Sequence, residues 1–206
     1  MTTRLDVFID FVCPFCFLFE KTLAEVKRDR DVVVNLRPFE LRPHPIPTLR
    51  PEDDYLPRIW RNAVYPAAQR VGIPISLPST SPQPRTERAF MVMQLAREND
   101  KLEEFSRAMF SAFFQEDRNI GELDVIVDVA TSVGLNAADA VSAFWSNERR
   151  ERQLLDQDYA TRAVGVNSVP AMMVAGELVR GVPDAARLKA IIDASSEDIS
   201  HPGERP

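Results

Sequence analysis

Apolar positions alternate along residues 4 to 12: Leu5, Val7, Ile9 and Phe11 fall on one face, and Phe8 and Val12 make the other face largely apolar too. A strand that is apolar on both faces must be covered on both sides, so this one belongs inside a sheet flanked by helices. The period then changes. Phe15, Leu18, Phe19, Thr22, Leu23 and Val26 recur at helical spacing and stop at the charged run 27 to 31. A second strand is predicted over 32 to 41, with Pro38 unable to donate one ladder bond and therefore expected at an edge or a bulge. Strand, helix and strand form a βαβ unit, whose right-handed crossover sets the strands parallel with their C-terminal ends on one margin of the sheet.

Prolines crowd residues 43 to 52, and most of the next hundred residues carry helical periodicity. Pro57 and Pro66 make the first of these helices irregular, and a proline-rich loop spans 73 to 84. Helices are predicted near 85 to 98, 100 to 115, 121 to 134 and 137 to 147, with Gly134 as a stop and Asn136 as the next N-cap. Another runs from 149 to 164 and ends at Gly165. Strand character returns over 169 to 175, where Gly176-Glu177 is expected to turn the chain into a hairpin with Leu178-Val179-Arg180. A last helix starts at Pro183 and Asp184 with Leu188, Ile191 and Ile192 facing inward, and the polar tail 195 to 206 is expected to be disordered. The pattern is α/β, with a mixed central sheet built βαβ then ββα. Residues 1–50 and 149–194 would form that layer, and 51–148 an inserted all-helical subdomain.

With 206 residues and 45% hydrophobic content the chain can bury one substantial core. A net charge of -6 offers no basic field for a phosphate backbone, which argues against nucleic acid as a partner. Every apolar run is broken well short of the roughly 20 residues a membrane span needs. Met1-Thr2-Thr3-Arg4 leads at once into a strand and leaves no room for a secretory signal, so a cytoplasmic location is expected.

The two cysteines, Cys13 and Cys16, are three positions apart, a spacing two random cysteines would show about one time in a hundred. In a reducing compartment such a pair is redox-active, metal-binding or accidental. Tetrahedral zinc needs about four N or S ligands. The chain offers Cys13, Cys16, His44 and His201, the last in the tail, so no metal is expected. An iron–sulfur cluster held by this chain alone is excluded by count, although one shared between subunits is not. Two inert buried thiols remain an alternative.

Pro14 suits the first helical turn, which puts Cys13 at the helix N-terminus and Cys16 one turn in. Free backbone N–H groups and the helix dipole there favour a thiolate at Cys13, the species that attacks a disulfide. Cys16, on the same face, can then resolve the mixed disulfide. Antiparallel pairing of the strand after residue 170 with the first strand would bring Val169 and Pro170 beside the cysteines. A cis Val169-Pro170 bond there would offer the Val169 backbone to an extended peptide, whereas an ordinary trans proline would only open a strand.

Asp10-Phe11-Val12-Cys13-Pro14-Phe15-Cys16, the helical insertion and Gly165-Val166-Asn167-Ser168-Val169-Pro170 resemble the DsbA family, in particular its cytoplasmic FrnE-like branch, over residues 4 to 194. The resemblance implies a thioredoxin fold with an inserted helical domain, a redox-active Cys13 and Cys16 pair, and a cis Pro170. Pro14, Phe15, Val169 and Pro170 would then contact substrate. Two departures matter. Phe15 stands where periplasmic relatives carry His, so the expected potential is nearer that of glutaredoxins, roughly -200 to -230 mV, and the expected activity is reductase or isomerase. Val7 stands where many thioredoxin-fold proteins carry a buried acid.

Asp10 could take over that acid's proton role, or it could simply cap the turn at the strand end. His44 shares the same margin as a solvated loop residue or a substrate contact. No bound cofactor is expected, with glutathione a candidate co-substrate and protein or small-molecule thiols and disulfides the expected partners. A glutathione-dependent isomerase or transferase of the 2-hydroxychromene-2-carboxylate isomerase or kappa type is the competing enzyme reading, although those relatives usually carry Ser where this chain has Cys13. A noncatalytic partner-binding module would instead use a surface around Trp60, Phe110, Phe113 and Phe114.

Overall fold

The computed structural model describes residues 2–200, with side chains as far as Ser195. Strand β1 (Thr3–Ile9) leads into helix α1 (Pro14–Asp29) and strand β2 (Val32–Pro38). After the helices, β3 (Ala171–Val174) and β4 (Glu177–Arg180) complete a sheet of order β2-β1-β3-β4, in which β1 pairs parallel with β2 and antiparallel with β3. The mixed sheet predicted from the apolar pattern is therefore present. β1 lies at its centre because both of its faces can be buried, Leu5, Val7 and Ile9 on one side and Phe8 on the other.

β2 is an edge strand, as Pro38 required, and it ends there rather than at residue 41. The Phe39 N–H donates to the Ile9 carbonyl at 2.9 Å, so alternation turns residue 38 outward, where proline forgoes no ladder bond. The hairpin turn is formed by Ala175 and Gly176, not by Gly176-Glu177. Both residues have positive φ (47° and 88°), the conformation that a two-residue turn between twisted strands demands and that glycine tolerates at little cost.

Residues 55 to 71 form an interrupted helix: α2 (Tyr55–Ile59), one π-helical turn (Trp60–Val64) and α3 (Tyr65–Val71). The wider turn lets the helix pass through Pro66, which has no N–H to donate. The remaining helices are α4 (Glu87–Glu98), α5 (Leu102–Phe114), α6 (Leu123–Ser132), α7 (Ala137–Trp145) and α8 (Asn147–Asp158). Gly134 stops α6 as expected. Asn136 caps α7, its side-chain oxygen accepting from the N–H groups of Ala138 (2.8 Å) and Asp139 (3.2 Å). The final helix, α9 (Ala185–Ser200), continues six residues into the stretch expected to be disordered; 201–206 lie outside the described residues.

α1 and α9 cover the Leu5, Val7 and Ile9 face of the sheet, and α8 with the π-helical turn Tyr159–Val164 covers the Phe8 face. One apolar cluster runs from Leu5 and Ile192 through α1 to Phe90, Phe110, Ile126 and Leu135, so the sheet layer and the helical segment share a core. Phe11 is the joint. Its ring stacks on Phe90 of α4 at 4.9 Å and meets Phe110 of α5 edge-on at 5.3 Å. Trp60, Phe110, Phe113 and Phe114 are all at most 2% exposed, so the surface imagined for a noncatalytic module is core instead.

Phe11→Ala is expected to cost about 3–5 kcal/mol in urea denaturation. Because the core is shared, fluorescence of Trp60 and Trp145 and far-UV circular dichroism should report one coincident transition. A separate tryptophan transition would show that the helical segment unfolds on its own.

Candidate functional site

β1 ends at Ile9, and after four intervening residues α1 begins at Pro14, whose missing N–H needs no partner there. The turn between them is closed by the Cys13 N–H donating to the Asp10 carbonyl at 2.9 Å. Cys13 is the N-cap residue, and Cys16 lies one turn in; both are free thiols, 4% and 2% exposed. The antiparallel register of β1 and β3, carried one step beyond Phe8 and Ala171, sets Pro170 level with Ile9. There Val169-Pro170 is cis, and the Cys13 thiol donates to the Val169 carbonyl at 3.4 Å. The residues predicted from two distant segments, Cys13, Cys16, Val169 and Pro170, thus stand together. Pro14 and Phe15 are half-buried at the head of α1, and His44 is exposed in the loop after β2.

The two sulfurs differ. Burial pushes the Cys16 thiol well above its ordinary range, its hydrogen bond with Cys13 and the nearby Cys13 charge push the same way, and a hydrogen bond from the Asp10 backbone partly opposes them. Cys16 is accordingly a thiol at neutral pH. Cys13 sits at the helix N-terminus with its hydrogen directed away from α1 toward Val169.

Asp10 is fully buried. One of its oxygens accepts from the Thr86 hydroxyl at 2.7 Å and the Val12 N–H at 3.4 Å, the other from the Leu41 N–H at 2.7 Å. It does close a turn, but it is no solvated cap. Burial raises its pKa to about 6 against the pull of those three donors. A second acid escaped the sequence reading. Glu40, 6% exposed, accepts from the Thr86 N–H at 3.2 Å, and burial followed by the charge of Asp10 raises it to about 7. Its backbone is clamped from α8 by the Gln157 amide, which accepts from the Glu40 N–H (2.7 Å) and donates to its carbonyl (3.2 Å). The available signal was a carboxylate between Phe39 and Leu41 in an otherwise apolar run. Thr86, the residue before α4, gives its hydroxyl and N–H to these acids instead of capping its own helix. Among the described residues no cluster of His, Cys, Asp and Glu is arranged to hold a metal ion, and no helix is long and apolar enough to cross a membrane.

A carboxyl whose pKa is raised on folding stabilises less as pH rises, because above its folded pKa the native state holds a charge that the unfolded chain solvates better. For Asp10 the loss runs from about pH 4 to about pH 6. Relative to wild type, Asp10→Asn should therefore gain about 2 kcal/mol of unfolding free energy between about pH 4 and about pH 8. Parallel urea titrations at the two pH values measure that difference; an equal gap at both would contradict the buried-acid assignment.

The pattern of the DSBA-like thioredoxin domain family matches residues 4–193. The Bacillus subtilis (strain 168) protein YwbO is 35% identical over 182 residues, covering 88% of this chain and 91% of its own. Among solved structures, a 2-hydroxychromene-2-carboxylate isomerase superposes with a TM-score of 0.74 at 18% identity, over 94% of this chain and 95% of the other. The cytosolic disulfide reductase DsbM from Pseudomonas aeruginosa superposes with a TM-score of 0.67 at 20% identity, over 96% and 97%. At those identities the structures speak for the fold, whereas the family match spans nearly the whole chain together with the cysteine turn and the Val169-Pro170 segment. The chain belongs to the DSBA-like thioredoxin domain family.

Proposed function

We propose that the protein is a thiol–disulfide oxidoreductase in which Cys13 is the nucleophile and Cys16 the resolving thiol. The supporting observation is the asymmetry of the pair. Cys13 lies at the head of α1 against the Val169 carbonyl, and Cys16 is buried behind it as a thiol. The Cys13 thiolate attacks one sulfur of a substrate disulfide, the S–S bond breaks, and the first substrate thiolate leaves with the electron pair. Cys16 then gives up its proton and attacks the Cys13 sulfur, releasing the second thiolate and leaving a Cys13–Cys16 disulfide. Two electrons pass from the dithiol to the substrate, and the reverse sequence oxidises a dithiol.

Pro14, Phe15, Val169 and Pro170 are the substrate edge in this reading, and Asp10 is the group that handles the Cys16 proton. Phe15 between the cysteines favours the reducing or isomerising direction. Protein or small-molecule disulfides are the substrates, glutathione is the co-substrate that resets the pair, and no bound cofactor is needed. We place the protein in the FrnE-like branch and in the cytoplasm, on the Asp10 to Cys16 run; the cytosolic reductase named above has the same fold. Cys13 in place of serine speaks against the isomerase and transferase alternative.

Insulin reduction with glutathione should fall by at least about a hundredfold in Cys13→Ser. Cys16→Ser should instead accumulate a mixed disulfide on Cys13, visible by intact-mass spectrometry. Activity that survives Cys13→Ser would overturn the assignment in favour of glutathione-dependent isomerisation.

A further inference from the structure

Asp10 and Glu40 reach the site from different segments, one from the end of β1 and one from just beyond β2, and α4 joins them. Thr86 gives its hydroxyl to Asp10 and its N–H to Glu40, so one residue at the head of a twelve-residue helix holds both carboxyls. A cavity of about 10 Å³, close to the space of one water molecule, is lined by both acids with Thr48, Gln83 and Arg85. The cations nearby do not neutralise the pair. The Arg85 guanidinium donates to the Arg42 and Ile46 carbonyls (2.6 and 2.8 Å), pinning the loop over the acids. Glu87, which also faces Glu40, is ion-paired with Arg150 at 2.9 Å. Arg42 acts on Asp10 through its charge alone, as the last and weakest influence there. Cys16 neighbours Asp10 from α1, with its sulfur hydrogen-bonded to the Asp10 backbone; burial and Cys13 do most to keep it a thiol, and the Asp10 charge adds to them as the last influence.

Two carboxylates side by side and out of water do not both stay charged near neutrality; they hold a proton between them. Asp10 has three donors to one for Glu40, so the charge rests on Asp10 and the proton on Glu40. We propose that Asp10 and Glu40, joined through Thr86, form a single buried proton-holding unit that accepts the Cys16 proton during resolution, with Glu40 as the positioning residue that sets the basicity of Asp10. The unit does the work of the acid missing at Val7, from another part of the fold.

The inference rests on the disulfide-exchange reading. In the resolving step the Cys16 S–H bond breaks and its proton goes to the Asp10 carboxylate. The Cys16 sulfur bonds to the Cys13 sulfur, the bond from Cys13 to the substrate sulfur breaks, and the substrate thiolate leaves with the electron pair. The doubly protonated acid pair then returns one proton to solvent by way of the small cavity.

Stopped-flow reaction of the reduced full-length protein with 5,5′-dithiobis(2-nitrobenzoate) separates the two steps. A first thionitrobenzoate is released when Cys13 attacks and a second when Cys16 resolves. In wild type the second-phase rate should rise with pH in two steps below the thiol titration, at about pH 6 and about pH 7. Glu40→Gln should lose the upper step, Glu40→Asp should restore it, and Asp10→Asn should lower the ratio of second-phase to first-phase rate about tenfold at neutral pH. Infrared spectroscopy of the wild type supplies a readout without substitution, since a protonated carboxyl band should persist at neutral pH and vanish as the pair loses its last proton. A Glu40→Gln profile superimposable on wild type with both phases present, or no such band, would overturn the inference alone. A wild type that releases no second thionitrobenzoate would overturn the exchange reading itself.

Discussion

The packing of Phe11 is the contact on which the rest of this protein depends. The turn 10 to 13 carries every group of the candidate site that comes from the first strand, and without an anchor it would be a solvent-facing loop. The Phe11 phenyl ring is fully buried against Phe90 of α4 and Phe110 of α5, which anchors the turn that carries Asp10 and Cys13. The same contact brings α4 close enough for Thr86 to reach Asp10. A sheet and a set of helices far apart in sequence thereby become one environment, in which two thiols and two carboxyls are held out of water with little cationic compensation.

That environment governs the chemistry. Burial disfavours charge on acids and thiols alike, so each group is decided by the hydrogen bonds it receives. Asp10, with three donors, keeps its charge more readily than Glu40, with one. Cys16 is buried, is hydrogen-bonded to Cys13 and faces its charge, and has one backbone bond from Asp10 to oppose them, so it retains its proton. The order in which the groups give up protons is therefore built into which backbone N–H points where.

Local periodicity made most of the fold legible. Two-sided burial of β1, the Pro38 edge and the caps at Gly134 and Asn136 each rest on a few neighbouring residues, and so did the placement of Cys13 at a helix N-terminus. Long-range polar contacts were not legible. Glu40 and Thr86 are separated from Asp10 by 30 and 76 residues, and no spacing rule links an acid at a strand end to a hydroxyl at the start of a helix in another segment. The hairpin turn lies one residue earlier than the glycine alone suggests, because Ala175 accepts a positive φ ahead of Gly176. Residues 195 to 200 are helical despite their polar composition because they continue the helix already under way from Ala185.

The edge position of β2 has one further consequence. Leu36, like Pro38, turns its backbone outward, and Arg97 of α4 donates to its carbonyl at 2.5 Å. At the opposite margin β4 is only four residues long, with exposed Glu177 and Arg180 at its ends. Neither margin invites another chain to add a strand. On the proposed reading, in which extended polypeptides are among the substrates, the sheet is thus shielded from joining their aggregates, and the backbone offered to them at Val169 lies beside the Cys13 sulfur.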